Sequence, residues 1–245
     1  VMLDPQSSFS GDVIDRITRW KQDGGHLLVA GNPEHRSIVN GLVEPLGARV
    51  DNRQILGQNW QFYYRARGNP FLIVPSLHSH PVTDPLAEEN ISVRLGRSAP
   101  LRIDTGVLKP LLETGSSAYA KPLQKGQRRL DPAFDQQEDV RGPFTVAAVS
   151  AEADTGGSVM ILSNADVFGN RLIGQAGNED LALNIVNWFL ERDISLGIQP
   201  TSLSGNVVKN ITPMQAYTIQ LISLVVIPFT VLIWGLVVWW KRKNL

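Results

Sequence analysis

The sequence predicts an α/β domain with a parallel sheet and flanking helices, followed by one membrane-spanning helix. The first observation is that helix-like and strand-like apolar patterns alternate within the first 50 residues, which is typical of a parallel sheet with crossover helices. The second is an uncharged stretch from Leu221 to Trp240. As a helix this stretch is roughly 30 Å long, which is enough to cross the hydrocarbon core of a bilayer.

The uncharged stretch is followed at once by three cations, which predict its orientation. Because such clusters favour the cytoplasmic side, we expect a cytoplasmic C-terminus and a domain on the other side of the membrane. Tyr217 lies at the other end of the stretch, where aromatic rings favour the headgroup region. The residues expected to mark the anchor are Leu221, Pro228, Trp234, Gly235, Trp239, Trp240, Lys241, Arg242 and Lys243.

The amino-acid composition of the chain argues against some classes of function. The chain has 23 basic and 23 acidic residues and no net charge, so it offers no electrostatic footprint for nucleic acid. It has no cysteine, which excludes thiolate nucleophiles and cysteine-ligated zinc. We expect an N-terminally truncated domain over residues 1–200, a linker over 201–214, a membrane helix over 215–241 and a tail over 242–245.

The first elements follow from apolar spacing. Ser10 is the predicted N-cap of a helix whose inner face carries Val13, Ile14, Ile17 and Trp20, and Gly24 and Gly25 end it. Residues 26–30 predict a buried parallel strand. A second helix is expected from about Pro33 or Ser37 to Leu46, with Gly47 as its stop.

The middle of the chain has a weaker pattern. We predict strands over residues 71–74, 91–95 and 101–103, although prolines interrupt the region. Residues 121–140 are polar and without aliphatic periodicity, so we expect an exposed loop. Arg128 and Arg129 in this loop either contact an anionic partner or are simply solvated.

A regular apolar pattern is present again after Pro143. Residues 144–150 and 158–162 predict two adjacent strands joined by a polar, glycine-containing turn. A helix is expected to begin at Asn178 as its N-cap, with Glu179 and Asp180 at its positive end and an apolar stripe of Leu181, Ile185, Trp188 and Phe189. Ile194, Leu196 and Ile198 alternate as a last strand before a polar linker.

Several stretches together resemble the auxiliary component of an ABC-type transport system associated with gliding motility. They are Gly142-Pro-Phe-Thr-Val-Ala-Ala148, Leu162-Ser-Asn-Ala-Asp-Val-Phe-Gly-Asn170, Gly177-Asn-Glu-Asp-Leu-Ala-Leu-Asn-Ile-Val-Asn-Trp188, and the linker with the membrane helix ending in Trp240-Lys-Arg-Lys. Residues 107–117 and 23–29 are also similar to segments of that family. The resemblance implies a flavodoxin-like or glutamine-amidotransferase-like domain that is a non-catalytic partner of an ABC permease and its ATPase. Members commonly carry an N-terminal membrane segment, which this sequence lacks.

Three polar residues are candidates for ligand binding. Asn164, Asp166 and Asn170 follow a predicted strand, and ligands of open α/β sheets bind beyond the carboxyl ends of strands. The alternative is that these residues serve loop and cap geometry alone.

A second candidate is a pair of histidines in a short extended segment. His78 and His80 could present two imidazoles on one face, but a metal pair would need a third ligand, such as His26, His35 or Asp84. The alternative is that His80 and Pro81 only turn the chain. We expect no metal and no cofactor.

Catalytic signatures are missing from the sequence. It has no Walker phosphate loop, no dinucleotide fingerprint and no nucleophile elbow. We therefore expect a non-enzymatic, membrane-anchored accessory subunit that associates with permease, ATPase and membrane lipid. The rival interpretations are an extracytoplasmic glycan- or peptide-binding module and a cryptic hydrolase that uses His78 and His80.

Overall fold

The computed structural model describes residues 1–57, 69–123, 131–150, 157–190 and 220–243. The chain divides into two compact units, Val1–Ile198 and Gln199–Leu245. Five predictions lie wholly or mostly outside the described residues: the turn that joins residues 150 and 158, the strand through Ile194, Leu196 and Ile198, the linker over 201–214, the position of Tyr217, and the roles of Arg128 and Arg129.

The first unit is built on a six-stranded mixed sheet. Its strands, in spatial order, are β1 (Met2–Leu3), β2 (Leu27–Ala30), β11 (Val159–Leu162), β10 (Thr145–Ser150), β7 (Leu108–Glu113) and β5 (Ser76–Leu77). The first three are parallel, and the other neighbouring pairs are antiparallel. The expected parallel sheet is therefore found only in part. Residues 151–158, between β10 and β11, are too few for the crossover connection that a parallel pair needs.

Helices lie on both faces of this sheet because its buried strands alternate their side chains between the faces. In β2, Leu28 and Ala30 point to one core cluster, and Leu27 and Val29 point to the other. The second cluster is covered by α1 (Gly11–Gln22) and α2 (Arg36–Val43). The first is covered by α3 (Asp84–Glu88) and α4 (Asn178–Phe189).

The predicted helix ends are confirmed for α1 and α2. After α1, Gly24 adopts φ +97°, and the N–H of Gly25 donates to the carbonyl of Trp20 at 2.9 Å. This left-handed residue and its back-bond satisfy carbonyls at the end of the helix. α2 continues through a 3-10 turn, Glu44–Leu46, to Gly47 with φ +85°.

The start of α4 differs from the prediction. Gly177 takes the N-cap position, and Asn178 is the first helical residue. The side chain of Asn178 is fully buried and accepts a hydrogen bond from the N–H of Arg94 while it donates to the carbonyls of Arg94 and Leu172. Asn178 therefore joins two loops to the helix and does not cap it. The predicted stripe is confirmed, since Leu181 and Ile185 are buried in the core.

The middle of the chain forms two small sheets. β3 (Ala48–Val50) pairs with β6 (Leu101–Ile103), and β8 (Ala118–Pro122) lies between β4 (Arg53–Gly57) and β9 (Val140–Arg141). The predicted strand over 101–103 is confirmed. The strands expected over 71–74 and 91–95 reduce to a single bridge between Ile73 and Leu95, because prolines before and after the first segment remove ladder donors.

The segment from 121 to 140 is less exposed at its ends than the sequence suggested. Residues 131–138 are mostly exposed, but Lys121 and Asp139 form an ion pair in which 13% and 0% of their side chains are exposed. Phe134 lies edge-on to Tyr119 and beneath the guanidinium of Arg141, 4.2 Å from its centroid. These contacts hold residues 131–139 against β8.

Candidate functional site at the carboxyl ends of the parallel strands

Polar side chains gather where the three parallel strands end. Asp4 follows β1, Asn32 and His35 follow β2, and Asn164 and Asp166 follow β11. Because parallel strands end at the same side of a sheet, these residues come together although up to 162 positions separate them. We call these five residues the carboxyl-end cluster.

Asn32 is the centre of the cluster. Its side-chain oxygen accepts the N–H of Ala165 at 3.0 Å, and its amide nitrogen donates to Asp166 Oδ1 at 3.2 Å. Its backbone N–H donates to Asp4 Oδ1 at 3.0 Å. One asparagine thus ties the ends of β1, β2 and β11 together.

Asn164 is fully buried, and its side-chain amide is already hydrogen-bonded to the backbone. Its Oδ1 accepts the N–H groups of Val167 and Gly96 at 3.1 and 3.3 Å, and its Nδ2 donates to the carbonyl of Arg97 at 2.8 Å. A buried amide with these partners holds the loop at residues 96–97 against the end of β11. Its contacts are those expected of a structural residue.

Asp166 is the partly exposed member of the predicted set. It begins a 3-10 turn, Asp166–Phe168, and 31% of its side chain is exposed. Oδ1 accepts from Asn32, and Oδ2 lies 3.3 Å from the guanidinium of Arg171. Asn170 is exposed on the following loop. The structure therefore brings Asn164 and Asp166 together through Asn32 and leaves Asn170 on the surface beside them.

An aspartate–histidine pair completes the cluster. Asp4 was not predicted from the sequence, and His35 was considered only as a third ligand for a metal at His78 and His80. His35 Nδ1 lies 3.0 Å from Asp4 Oδ1, with 34% and 21% of the two side chains exposed. Asp4 adopts φ +47°, a left-handed conformation that aspartate tolerates better than most residues. The available signal was that Asp4 and Asn32 each follow a short apolar run, as Asn164 does.

Two exposed ion pairs border the cluster. Arg97 contacts Glu34 at 3.2 Å, and Arg171 contacts Asp166. Exposed pairs of this kind contribute little to stability, so their charges are available to a partner at low cost. Together with His35 they give this end of the sheet a mixed, hydrogen-bonding surface.

The two histidines proposed as a metal pair have separate partners. His78 Nε2 lies 3.3 Å from Glu113 Oε2. His80 Nδ1 accepts the N–H of Val82, and its carbonyl accepts the N–H of Thr83 and of Asp84 ahead of α3. Among the residues that the structure describes, no group of three histidine, aspartate or glutamate side chains is arranged to hold a metal ion.

Within the described part of the second unit, residues 220–243, there is one helix that is long and apolar enough to cross a membrane. It runs from Ile222 to Lys243 and consists of a π-helical turn, Ile222–Val226, and α5, Ile227–Lys243. The large apolar side chains that the structure describes along it, including Trp234, Trp239 and Trp240, are exposed. The ammonium group of Lys243 lies 5.2 Å from the ring centroid of Trp239. Length and composition alone support its assignment as a membrane span.

Comparison with known proteins gives a family and a fold. Among solved structures, the chain is similar to the mmIFT52 N-terminal domain, with 14% identity over 78% of this chain and 76% of that chain and a TM-score of 0.57. At this identity the similarity shows the fold alone. No curated protein matches. Residues 1–186 match the family model "Domain of unknown function (DUF4350)". Because that match covers well over half of the chain, the protein belongs to the DUF4350 family.

Proposed function

We propose that this protein is a non-catalytic, membrane-anchored accessory subunit of an ABC-type export or gliding-motility complex, in which it associates with a permease and an ATPase. The observation that carries the proposal is the exposed apolar helix Ile222–Lys243, which ends in three cations. An exposed surface of this kind needs lipid or other membrane helices around it. We propose an ABC-type complex in particular because four stretches of the sequence resemble the auxiliary component of such systems.

Orientation follows from the cations at the end of the helix. Lys241, Arg242 and Lys243 favour the cytoplasm, which puts the α/β domain outside the bacterial inner membrane. For that domain we propose a flavodoxin-like or glutamine-amidotransferase-like architecture. The support is the parallel run β1–β2–β11 with helices on both faces.

Binding suits the carboxyl-end cluster better than catalysis does. Asn164 is buried and Asn32 donates and accepts within the cluster, so both are used to hold loops. The side chains that reach solvent are Asp166, His35 and Arg171, which can offer charge and hydrogen bonds to a partner surface. A rigid platform with a charged rim is typical of an interaction surface.

The test is affinity purification of the full-length protein from native membranes in mild detergent, followed by identification of the chains that come with it. We expect a permease and a Walker-motif ATPase in fixed ratio. A control in which Trp234 and Trp239 are replaced by leucine keeps the span apolar and should retain both chains. Recovery of the protein alone would contradict the proposal.

A second candidate function is an extracytoplasmic binding module for a glycan or peptide. The observation in its favour is that Asp166 and His35 are both about one-third exposed at the usual ligand side of an α/β sheet. Saturable binding of a glycan or peptide by the detergent-solubilised chain, lost in Asp166→Ala, would support it. Glu44→Ala is the matched control, because Glu44 is a carboxylate in an exposed arginine pair elsewhere. Binding that survives Asp166→Ala would count against this candidate.

A further inference from the structure

The first 22 residues are held to the rest of the α/β domain by a small number of contacts. β1 pairs with β2 over two residues, and no residue of α1 is buried. α2, which packs on the same core cluster, buries Val39, Leu42 and Val43. We call residues 1–22, which comprise β1 and α1, the N-terminal cover.

The cover packs on the core through partly buried side chains. Met2, Phe9, Ile14 and Ile17 lie against the cluster that contains alternate residues of β2. α1 has 12 residues, and isolated helices shorter than about 12–15 residues are marginal in water. α1 therefore depends on this packing, and we expect the helix to unfold when it leaves the domain.

Hydrogen bonds tie the cover to the domain near its two ends. At one end, the N–H of Asp4 donates to a carbonyl of β2 at 2.7 Å. At the other end, the N–H of Gly157 donates to the carbonyl of Lys21 at 2.7 Å, and Gly24 follows with φ +97°. Residues 5–10, between the two elements of the cover, form no helix or strand. Glycine accommodates large changes of backbone angle, so Gly24 is suited to be a hinge.

Asp4 joins the cover to the carboxyl-end cluster. Its Oδ1 accepts the backbone N–H of Asn32 at 3.0 Å and lies 3.0 Å from His35 Nδ1. In the described part of the chain, this is the one ion pair between the cover and the rest of the domain. Hydrogen bonds to a charged group are stronger than neutral ones, so these two contacts contribute strongly to holding the cover closed.

We propose that the N-terminal cover opens as one unit while the rest of the α/β domain stays folded, and that Asp4 is the clasp that couples this opening to the carboxyl-end cluster. Contiguous supersecondary units of this kind are what proteins open below the free energy of global unfolding. In the open state the cluster lacks one of its two carboxylates, and the outer edge of β2 is free to pair with another strand. The regulation of a partner surface rests on the proposed function, whereas the opening is measured without a partner.

Hydrogen exchange of the full-length chain in detergent, read by mass spectrometry with residue-level fragmentation, measures the opening. We expect the amides of Asp4 and of residues 15–21 in α1 to share one opening constant. This constant should be at least about tenfold larger than that of β2 and β11, which belong to the core of the sheet. Equal protection of the cover and of these strands would overturn the inference, and so would unrelated constants for Asp4 and α1.

The clasp is tested by Asp4→Asn. Asparagine keeps the shape of the side chain and tolerates φ +47°, but it lacks the charge. Because charge-assisted hydrogen bonds are about twice as strong as neutral ones, we expect the opening constant of the whole cover to rise about threefold to tenfold. Asp15→Asn is the matched control, since Asp15 is exposed on α1 and its carboxylate has no partner among the described residues. An equal rise in both variants would contradict the role of Asp4.

The coupling is tested from outside the cover by His35→Ala. This change should raise the opening constant of α1 as well as that of Asp4, and it should add little to Asp4→Asn in the double variant. His78→Ala is the control, because the pair of His78 with Glu113 has similar geometry and exposure at another strand of the sheet. A rise confined to residues 2–4, or an equal rise in the His78 variant, would contradict the coupling.

A reversible lock tests whether the cover moves as one unit. The chain has no cysteine, so Met2→Cys with Val29→Cys gives a single disulfide between directly paired positions of β1 and β2. Neighbouring strands lie about 5 Å apart, which is within the range of a disulfide. Oxidation should slow exchange throughout α1 at least about tenfold, and reduction should restore it. Fast exchange of α1 in the locked chain would show that the helix opens alone and would overturn the inference. Failure to recover a permease and an ATPase contradicts the proposed function and leaves these exchange results unchanged.

Discussion

Replacing Lys121 by methionine should destabilise the domain, because the lysine neutralises a buried carboxylate. Its Nζ lies 2.7 Å from Asp139 Oδ2 and 2.7 Å from the carbonyl of Ala133. The Asp139 side chain is fully buried, and its Oδ1 has no hydrogen-bond partner among the described residues. Methionine keeps the apolar stem of lysine and removes only the charge and the donors.

The expected loss of stability in Lys121→Met follows from the burial of the ion pair with Asp139. Removal of one partner from a buried ion pair costs about 3–5 kcal/mol. Asp139 Oδ2 keeps the N–H of Asp135 at 2.7 Å, and 13% of Lys121 is exposed, so we take the lower limit, about 3 kcal/mol. For a domain of this size, that corresponds to a fall of about 6–12 °C in the melting temperature.

The assay is thermal unfolding of the full-length protein in detergent, followed by circular dichroism, for Lys121→Met, Asp139→Asn and the double variant. The double variant should lose much less than the sum of the two single losses. Arg49→Met is the control, because its pair with Glu44 is 70% and 50% exposed and should contribute less than about 1 kcal/mol. The reasoning is refuted if Lys121→Met melts at the same temperature as this control, or if the two single losses add.

Three further substitutions test other contacts. Asn164→Ala should lower the free energy of unfolding by about 2–4 kcal/mol, measured by chemical denaturation, because buried partners lose their hydrogen bonds. Gly24→Ala should cost about 1–2 kcal/mol in the same assay, since alanine is strained at φ +97°. Burial, followed by the charges of Asp139 and Asp131, raises the pKa of Tyr119 from 10.0 to about 12. The stability that depends on this neutral phenol is complete below pH 10 and lost between pH 10 and 12, and a pH series of melting temperatures should show a shallower alkaline decline for Tyr119→Phe. An unchanged stability for either of the first two variants, or parallel alkaline curves for the third, would contradict the corresponding contact.

Periodicity predicted the elements whose pattern is local. α1, α2 and β2 lie where apolar spacing and glycines placed them, since each buries a regular face. The strands β4 and β8 were missed because they form a small sheet whose partners are about 60 residues apart, and their sequences do not alternate strictly. Packing between distant segments determined them.

Two of the five residues of the carboxyl-end cluster could be predicted. Asn164 and Asp166 were found because they follow a clear apolar strand. Asp4 and His35 meet only when β1 pairs with β2, and β1 is two residues long, which is too short to show a period. The capping role predicted for Asn178 was wrong because its amide bonds across the fold to Arg94, a contact that no local pattern reveals.

The most direct test of the central claim, a membrane-anchored binding subunit of a transport complex, is photo-crosslinking in native membranes. A photoreactive residue replaces Asn170, beside the carboxyl-end cluster, and in a control it replaces Val140, which is 44% exposed on β9. We predict that position 170 crosslinks to a permease chain and that position 140 does not. No crosslinked chain from position 170 above the level of the control would contradict the account.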